Sequence, residues 1–356
     1  MTRQKIKIKD IAKMAGVSAG TVDRILHNRG NVSPASREAV ERVLTEVNYR
    51  YNLHTSALAC RKRFKIIVST PVASPGEYWS SIHSGIEHAL EEYSDISVAC
   101  EYAYYNQYDI YSCQSAFASI PDRHPDAVII GPTFTRETRE LCDRLDAAGI
   151  PYLFIDAVIG DTHPIATFTT DHYAAGFLLG RLLHAMSAGD GTFAILRARR
   201  TGNENASTSL ERNRGFKDYM AQAGLTHRIR EASFSVLNPE ENEKQVVEFI
   251  ESHPDTHGIA VMNSRGYIIA DILRNRGVRD IRVISFDLTT NNIRCMKEGS
   301  ITALLCQRPE LQGFNAVKTM IQHLIYNRQE PAIHHTMPID IVMKENLPYY
   351  KEVAAL

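Results

Sequence analysis

Residues 8 to 27 read Ile-Lys-Asp-Ile-Ala-Lys-Met-Ala-Gly-Val-Ser-Ala-Gly-Thr-Val-Asp-Arg-Ile-Leu-His. Two short helical patterns meet here at a tight turn. Ile8, Ile11, Ala12 and Ala15 fall at helical spacing and share one apolar face. Gly16 ends that pattern, because glycine takes a positive φ without a Cβ penalty. Ser18 stands where its hydroxyl caps the next helix. There Val22, Ile25 and Leu26 face back onto the first helix and leave Ala19, Gly20, Asp23, Arg24 and His27 outside. Taken alone, this is either an ordinary helical corner or a helix-turn-helix whose second helix enters a DNA major groove.

Outward from this stretch, Asn28 to Asn31 reads as a loop, and Ser33-Pro34 opens a third helix with Ser33 as cap. Val40, Val43, Leu44 and Val47 close a small three-helix core. Ser36 and Arg37, in its first turn, suit either phosphate contacts or plain solvation. Charge is distributed unevenly. Residues 1–63 carry 13 Lys and Arg against 5 Asp and Glu, leaving 27 basic and 36 acidic residues for the remainder. A basic head on an acidic body suits a head that binds a polyanion.

The matching residues Asp10-Ile11-Ala12, Ala15-Gly16-Val17-Ser18, Thr21-Val22, Arg24, Val32-Ser33, Arg37, Val40 and Asn48-Tyr49 resemble the DNA-binding head of the lactose/purine repressor family of bacterial regulators. The resemblance implies that Ser18, Ala19, Gly20, Thr21, Asp23 and Arg24 face the groove, with Ser36 and Arg37 on phosphates. Ala19 and Gly20 replace larger polar side chains of many relatives, which leaves Arg24 as the best candidate for a bidentate contact to guanine. Asp23 either accepts from cytosine or pairs with Arg24. The resemblance also implies a hinge after Tyr51, with Leu58 as an apolar wedge in the minor groove; such wedges bend DNA. The expected domains are a head at 1–51, a linker at 52–63 and a body at 64–356.

From Phe64 the pattern changes to apolar strands alternating with amphipathic helices, which implies parallel sheets covered on both faces. The alternation runs to about 155 and restarts after Thr169, so two α/β lobes are expected. The fold class is therefore multidomain, a small all-α head plus a two-lobed α/β body. Through Thr170 to Gly176, Arg212 to Phe216, Val283 to Asp287 and Gln307 to Glu310, the body resembles the sugar-binding type I periplasmic binding proteins. That fold implies crossings between lobes near 167, 289 and 330. The N-lobe then comprises about 64–167 and 289–329, the C-lobe 168–288 and 330–356.

Ligands of open α/β sheets bind beyond the carboxyl ends of strands. Reading past each strand nominates Asp156, Asp171, Asn263 and Asp287, whose side chains suit vicinal hydroxyls. Asp171 equally suits a cap on helix 172–187. The resemblance adds Arg212 and Gln307 beside the ligand, and Tyr78 with Trp79 as paired aromatics around a sugar ring; the bland alternative has the two rings anchor their own helix. Gly76 stands where sugar-binding relatives often carry asparagine. Arg199 and Arg200, with Asn203, Glu204 and Asn205, offer further contacts to an anionic ligand.

These residues predict a ligand-responsive, DNA-binding transcriptional regulator, a repressor of carbohydrate-utilisation genes. It is expected to bind a pseudo-palindromic double-stranded DNA operator as a homodimer, with a tetramer left open, and to sense a sugar or related small polar molecule. No cofactor, metal site or membrane partner is expected, and the expected location is cytoplasmic, at the nucleoid. The six cysteines form no C-x-x-C pair, as buried free thiols in a reducing compartment would. The other class considered is a transporter's solute-binding protein without DNA binding, against which the basic head argues. An enzyme is disfavoured, since no P-loop, G-x-S-x-G or H-E-x-x-H motif is present.

Overall fold

A computed structural model of the chain describes residues 8–26, 32–47, 63–187, 189–200, 207–326 and 332–353. The head folds from α1 (Ile8–Ala15), α2 (Ala19–Leu26) and α3 (Pro34–Glu46). Ile11, Ala12, Val22, Ile25, Val40 and Val43 are buried together, one apolar stripe from each helix. Gly16 has φ +66°, which lets the Val17 amide turn back onto the Ala12 carbonyl at 3.0 Å. Ser18 Oγ accepts from the Thr21 amide at 3.0 Å, and Ser33 Oγ from the Ser36 amide at 3.2 Å. Both caps satisfy first-turn donors that lack helical partners. One expectation is corrected. Ala19 is half-buried and packs against the head core, because it opens the helix whose inner face carries Val22.

The body begins with β1 (Phe64–Ser69), α4 (Tyr78–Glu92), β2 (Val98–Tyr102), α5 (Ile110–Ala118), β3 (Ala127–Ile130), α6 (Thr135–Ala147), β4 (Tyr152–Asp156) and β5 (Ala166–Thr170). Then follow α7 (His172–Met186), β6 (Thr192–Ala198), α8 (Ser207–Gln222), β7 (Ile229–Phe234), α9 (Pro239–Ser252), β8 (Thr256–Val261), α10 (Gly266–Asn275), β9 (Arg282–Phe286), α11 (Thr290–Lys297) and β10 (Ala303–Cys306). The last elements are α12 (Pro309–Tyr326), β11 (Ile333–Met337), β12 (Asp340–Val342) and α13 (Leu347–Val353).

Among the described residues two six-stranded sheets form, with orders β11-β5-β4-β3-β1-β2 and β12-β10-β9-β8-β6-β7. Pairing is parallel except between β10 and β12. The orders are the same once β1–β5 are matched to β6–β10, so each lobe repeats the plan of the other. Both faces of the inner strands are buried, which is why those strands are apolar, as in Ala127–Ile130 and Ala303–Cys306.

The lobe boundaries expected from the sequence are corrected. The chain crosses between lobes between β5 and α7, between β10 and α12, and between β11 and β12. Residues 289–306 stay in the C-lobe, because β10 pairs with β9 and Cys295, Met296, Ile301 and Leu304 fill the C-lobe core. The strand expected over 334–343 is two strands in different sheets, divided at Pro338, which has no N–H to give a ladder. The crossings also exchange helices. α7 follows an N-lobe strand but packs on α8, whereas α12 follows a C-lobe strand but packs on α4. In both pairs glycine permits backbone contact. A Cβ on Gly176 would lie 1.9 Å from the Arg212 carbonyl oxygen, and one on Gly85 1.9 Å from that of Glu310. No helix among the described residues is long and apolar enough to cross a membrane.

Candidate functional site

Strand β4 ends in, and the equivalent strand β9 is followed by, an aspartate with left-handed backbone, Asp156 at φ +70° and Asp287 at φ +65°. A non-glycine residue there costs on the order of 1 kcal/mol or more and persists only when neighbours fix it. The Asp156 amide donates to Gln312 Oε1 at 2.9 Å, and its carbonyl accepts from Thr169 Oγ1 at 2.5 Å. The Asp287 amide donates to the Leu305 carbonyl at 3.0 Å, and its carbonyl accepts from Asn292 Nδ2 at 3.1 Å. Two strand ends are thereby shaped so that a carboxylate from each lobe turns into the cleft.

Other side chains join these carboxylates into one network. Tyr78 donates its hydroxyl to Asp156 Oδ1 at 2.6 Å. Gln307 Nε2 donates to both oxygens of Asp287, at 3.0 and 3.1 Å. Arg212 donates to Gln307 Oε1 at 2.8 Å, to the Met262 carbonyl at 3.0 Å and to His172 Nδ1 at 3.1 Å. His172 Nε2 lies 2.6 Å from the Asp156 carbonyl oxygen. The Arg212 guanidinium also stacks 3.9 Å above the Phe286 ring. Its Nε is buried with no partner among the described residues. All of these side chains are buried.

Burial governs the protonation of the cluster. It pushes both aspartates up, Asp287 to about 7, while Arg212 pulls each back toward the charged form. Burial lowers the Arg212 pKa, and the two aspartates oppose that shift. Desolvation also raises Tyr78, which therefore stays a donor. For Asp287 the folded pKa exceeds the unfolded value of about 3.9. Its contribution to stability is thus complete below about pH 4 and lost as the pH rises through 7. Asp287→Asn is expected to flatten that decline. Melting temperatures of both proteins between pH 4 and 8 would refute it if the two profiles stayed parallel.

The mouth of the cleft is closed by contacts between lobes. Arg265, which opens α10, pairs with Glu77 at the start of α4, and its Nε donates to the Tyr108 hydroxyl at 3.2 Å. The Thr290 amide donates to the Gly76 carbonyl at 2.9 Å. Arg200 donates to the Gln107 carbonyl at 2.6 Å and lies 5.6 Å from the ring centres of Tyr108 and Phe134.

Of the nominated ligand residues, Tyr78, Asp156, Arg212, Asp287 and Gln307 come together. Three others take different places. Asp171 is exposed and caps α7, accepting from the Ala174 amide at 2.8 Å. Trp79 is buried in the N-lobe core against Gly131. Its ring meets Tyr78 edge-on at 80°, so consecutive residues of one helix do not present parallel faces to a sugar. Asn263 Oδ1 accepts from the Arg265 amide at 2.9 Å and shapes the turn that carries the mouth arginine. Arg199 points away to Glu241 and Gln245 on α9, and Asn203, Glu204 and Asn205 lie outside the described residues. His172, Gln312 and the Glu77–Arg265 pair were not nominated. Their roles arise from contacts far along the chain, which no local pattern announces.

On the head, Arg24 is exposed, its Nε donating to the Gly20 carbonyl at 3.1 Å. Among the described residues, only Ser18 Oγ, at 3.8 Å, stands near the place a Cβ on Gly20 would take. Thr21 Oγ1 lies 2.9 Å from Ser18 Oγ, Ser33 Oγ donates to Ser36 Oγ at 2.9 Å, and Arg37 pairs with Glu41 at 3.8 Å. Asp23 is half-buried. Leu58 lies outside the described residues.

Comparison with known proteins agrees with this architecture. Residues 66–328 match the periplasmic binding protein domain and residues 7–52 the bacterial regulatory proteins of the lacI family. A Bacteroides fragilis structure described as a LacI transcriptional regulator superposes with TM-score 0.76 at 32% identity, covering 81% of this chain and all of that one. The transcriptional regulator DegA of Bacillus subtilis is 24% identical over 298 residues, 80% of this chain and 82% of its own. The ribose operon repressor of Halalkalibacterium halodurans is 23% identical over 287 residues, 79% and 80% of the two chains. With a helix-turn-helix head joined to a two-lobed binding body, this chain belongs to the LacI family of DNA-binding transcriptional regulators.

Proposed function

We propose that the protein is a homodimeric repressor of carbohydrate-utilisation genes, acting in the cytoplasm at the nucleoid, whose cleft takes a sugar or a closely related small polar effector. The observation that carries this reading is the buried network of Tyr78, Asp156, Arg212, Asp287 and Gln307 across the two lobes. Two carboxyl groups, an amide and a guanidinium offer the acceptors and donors that hydroxyls require. The ribose operon repressor among the relatives supports the sugar class. Arg199 and Arg200 are engaged by protein partners, which favours a neutral ligand over a phosphate or acid. Thermal-shift screening of neutral aldoses against sugar acids and phosphates tests this, since a ligand of the folded state raises the melting point. A response confined to the anionic compounds overturns it.

In this reading the helix from Ala19 enters the major groove, with Ser18, Gly20, Thr21, Asp23 and Arg24 toward the bases and Ser36 and Arg37 toward phosphates. Two heads on a near-palindromic operator supply useful affinity where one head makes few contacts. Effector and operator affinities are then reciprocally coupled. Arg24→Ala is expected to weaken binding to the specific duplex by about 1–3 kcal/mol, while random duplex is bound nearly as before. Fluorescence anisotropy at fixed salt measures both, and equal operator affinity in the variant would remove Arg24 from base reading.

A further inference from the structure

His172 is the first residue of α7, directly after the chain leaves the N-lobe. Its ring is buried between groups of both lobes. Nε2 lies 2.6 Å from the Asp156 carbonyl oxygen, on the N-lobe side. A carbonyl only accepts, so Nε2 carries a proton. Nδ1 lies 3.1 Å from a guanidinium nitrogen of Arg212, in the C-lobe. A guanidinium only donates, so Nδ1 is bare. The two neighbours together admit one state of the ring, neutral with the proton on Nε2. Burial and the positive charge of Arg212 act in the same direction, lowering the imidazole to about 3.

The consequence is geometric. Asp156 is held in a left-handed turn from which its carboxylate receives the Tyr78 hydroxyl. Arg212 reaches Gln307, which in turn binds both oxygens of Asp287. One ring therefore touches both halves of the network, through the backbone of one aspartate and the guanidinium that leads to the other. A phenylalanine fills similar space and makes neither bond.

We propose that His172 is a positioning residue for effector recognition, setting the Asp156 turn and the Arg212 guanidinium together from one neutral, Nε2-protonated ring that bridges the lobes. This rests on reading the cleft as the effector site. Two measurements on the full-length protein separate the ring's role from that reading.

The first uses no ligand. Long-range proton–nitrogen spectra of histidine-labelled protein between pH 5.5 and 8 are expected to contain one Nε2-protonated ring that does not titrate, absent from His172→Gln. A His172 ring protonated on Nδ1, or one that titrates in this range, overturns the proposal. The second titrates D-ribose, D-xylose, D-glucose and D-galactose separately by calorimetry. For any sugar that the wild type binds, His172→Phe is expected to lose about tenfold or more in affinity, as an unpaired buried donor implies. His172→Asn retains an acceptor for Arg212 and His172→Gln a donor for Asp156, so each is expected to recover part of the loss. A His172→Phe protein with unchanged melting temperature and unchanged affinity overturns the proposal. If none of the four sugars binds the wild type, the reading of the cleft as a site for these sugars fails, and the spectra alone decide whether His172 bridges Asp156 and Arg212.

Discussion

Gly76→Val is expected to hold the lobes apart and to lower effector affinity about tenfold or more, because binding then draws on a closed state made rare. Gly76 has φ +82°, a conformation strongly disfavoured for a β-branched residue. A Cβ there would lie 2.1 Å from Thr290 Oγ1 and 3.0 Å from Thr290 Cβ, the residue whose amide donates to the Gly76 carbonyl. The next residue, Glu77, pairs across the mouth with Arg265, and the one after it, Tyr78, reaches Asp156 inside. Three consecutive residues thus join the seam between the lobes to the floor of the cleft. At Gly76 the seam closes backbone to backbone. Small-angle scattering should record a larger radius of gyration for the variant, and calorimetry the weaker binding. An unchanged radius together with unchanged affinity would refute the seam.

Gly176→Val is expected to destabilise the body by about 3 kcal/mol, the upper end of ordinary overpacking. The obstacle is the Arg212 carbonyl oxygen, 1.9 Å from the new Cβ, and no side-chain rotation moves a backbone atom. Separation of α7 from α8 relieves the clash only by carrying Arg212 away from Gln307, His172 and the Met262 carbonyl. Gly85→Val, which meets the Glu310 carbonyl at the same 1.9 Å, should cost a similar amount in the other lobe. Urea denaturation followed by circular dichroism measures both. A midpoint within experimental error of wild type for either would show that the helix pair yields more easily than its geometry implies.

The head was legible in the sequence because its information is local. Gly16, Ser18, Ser33 and Pro34 mark the helix ends within a few residues of the positions they govern, and the apolar spacing supplies the core. Asp156 and Asp287 were found because a polar residue at the end of an apolar strand marks a rim in any α/β sheet. Arg212 and Gln307 came from family resemblance rather than from pattern. The crossings were misplaced for a physical reason. Apolar sequence marks β10 as buried but not in which sheet, and β11, with His334, His335 and Thr336 exposed, carries no apolar signal to place it. For Trp79 the sequence left two readings, because an aromatic at a helix start looks the same whether it packs on the sheet or faces a ligand; its ring is buried in the N-lobe core. His172 and Gln312 carried no local mark. Gln312 acts on Asp156, 156 residues earlier in the chain.

The exchange of α7 and α12 between lobes has a consequence for building chimaeras. A gene fragment encoding 64–170 would produce five strands of the N-lobe sheet without β11, and would leave Ile82 and Ile86 of α4 without Ala316, Val317 and Met320 of α12. Grafting one sensor half from a relative therefore takes three junctions in the gene, near 171, 307 and 338, and a single cut at any of them strands a helix on the wrong parent.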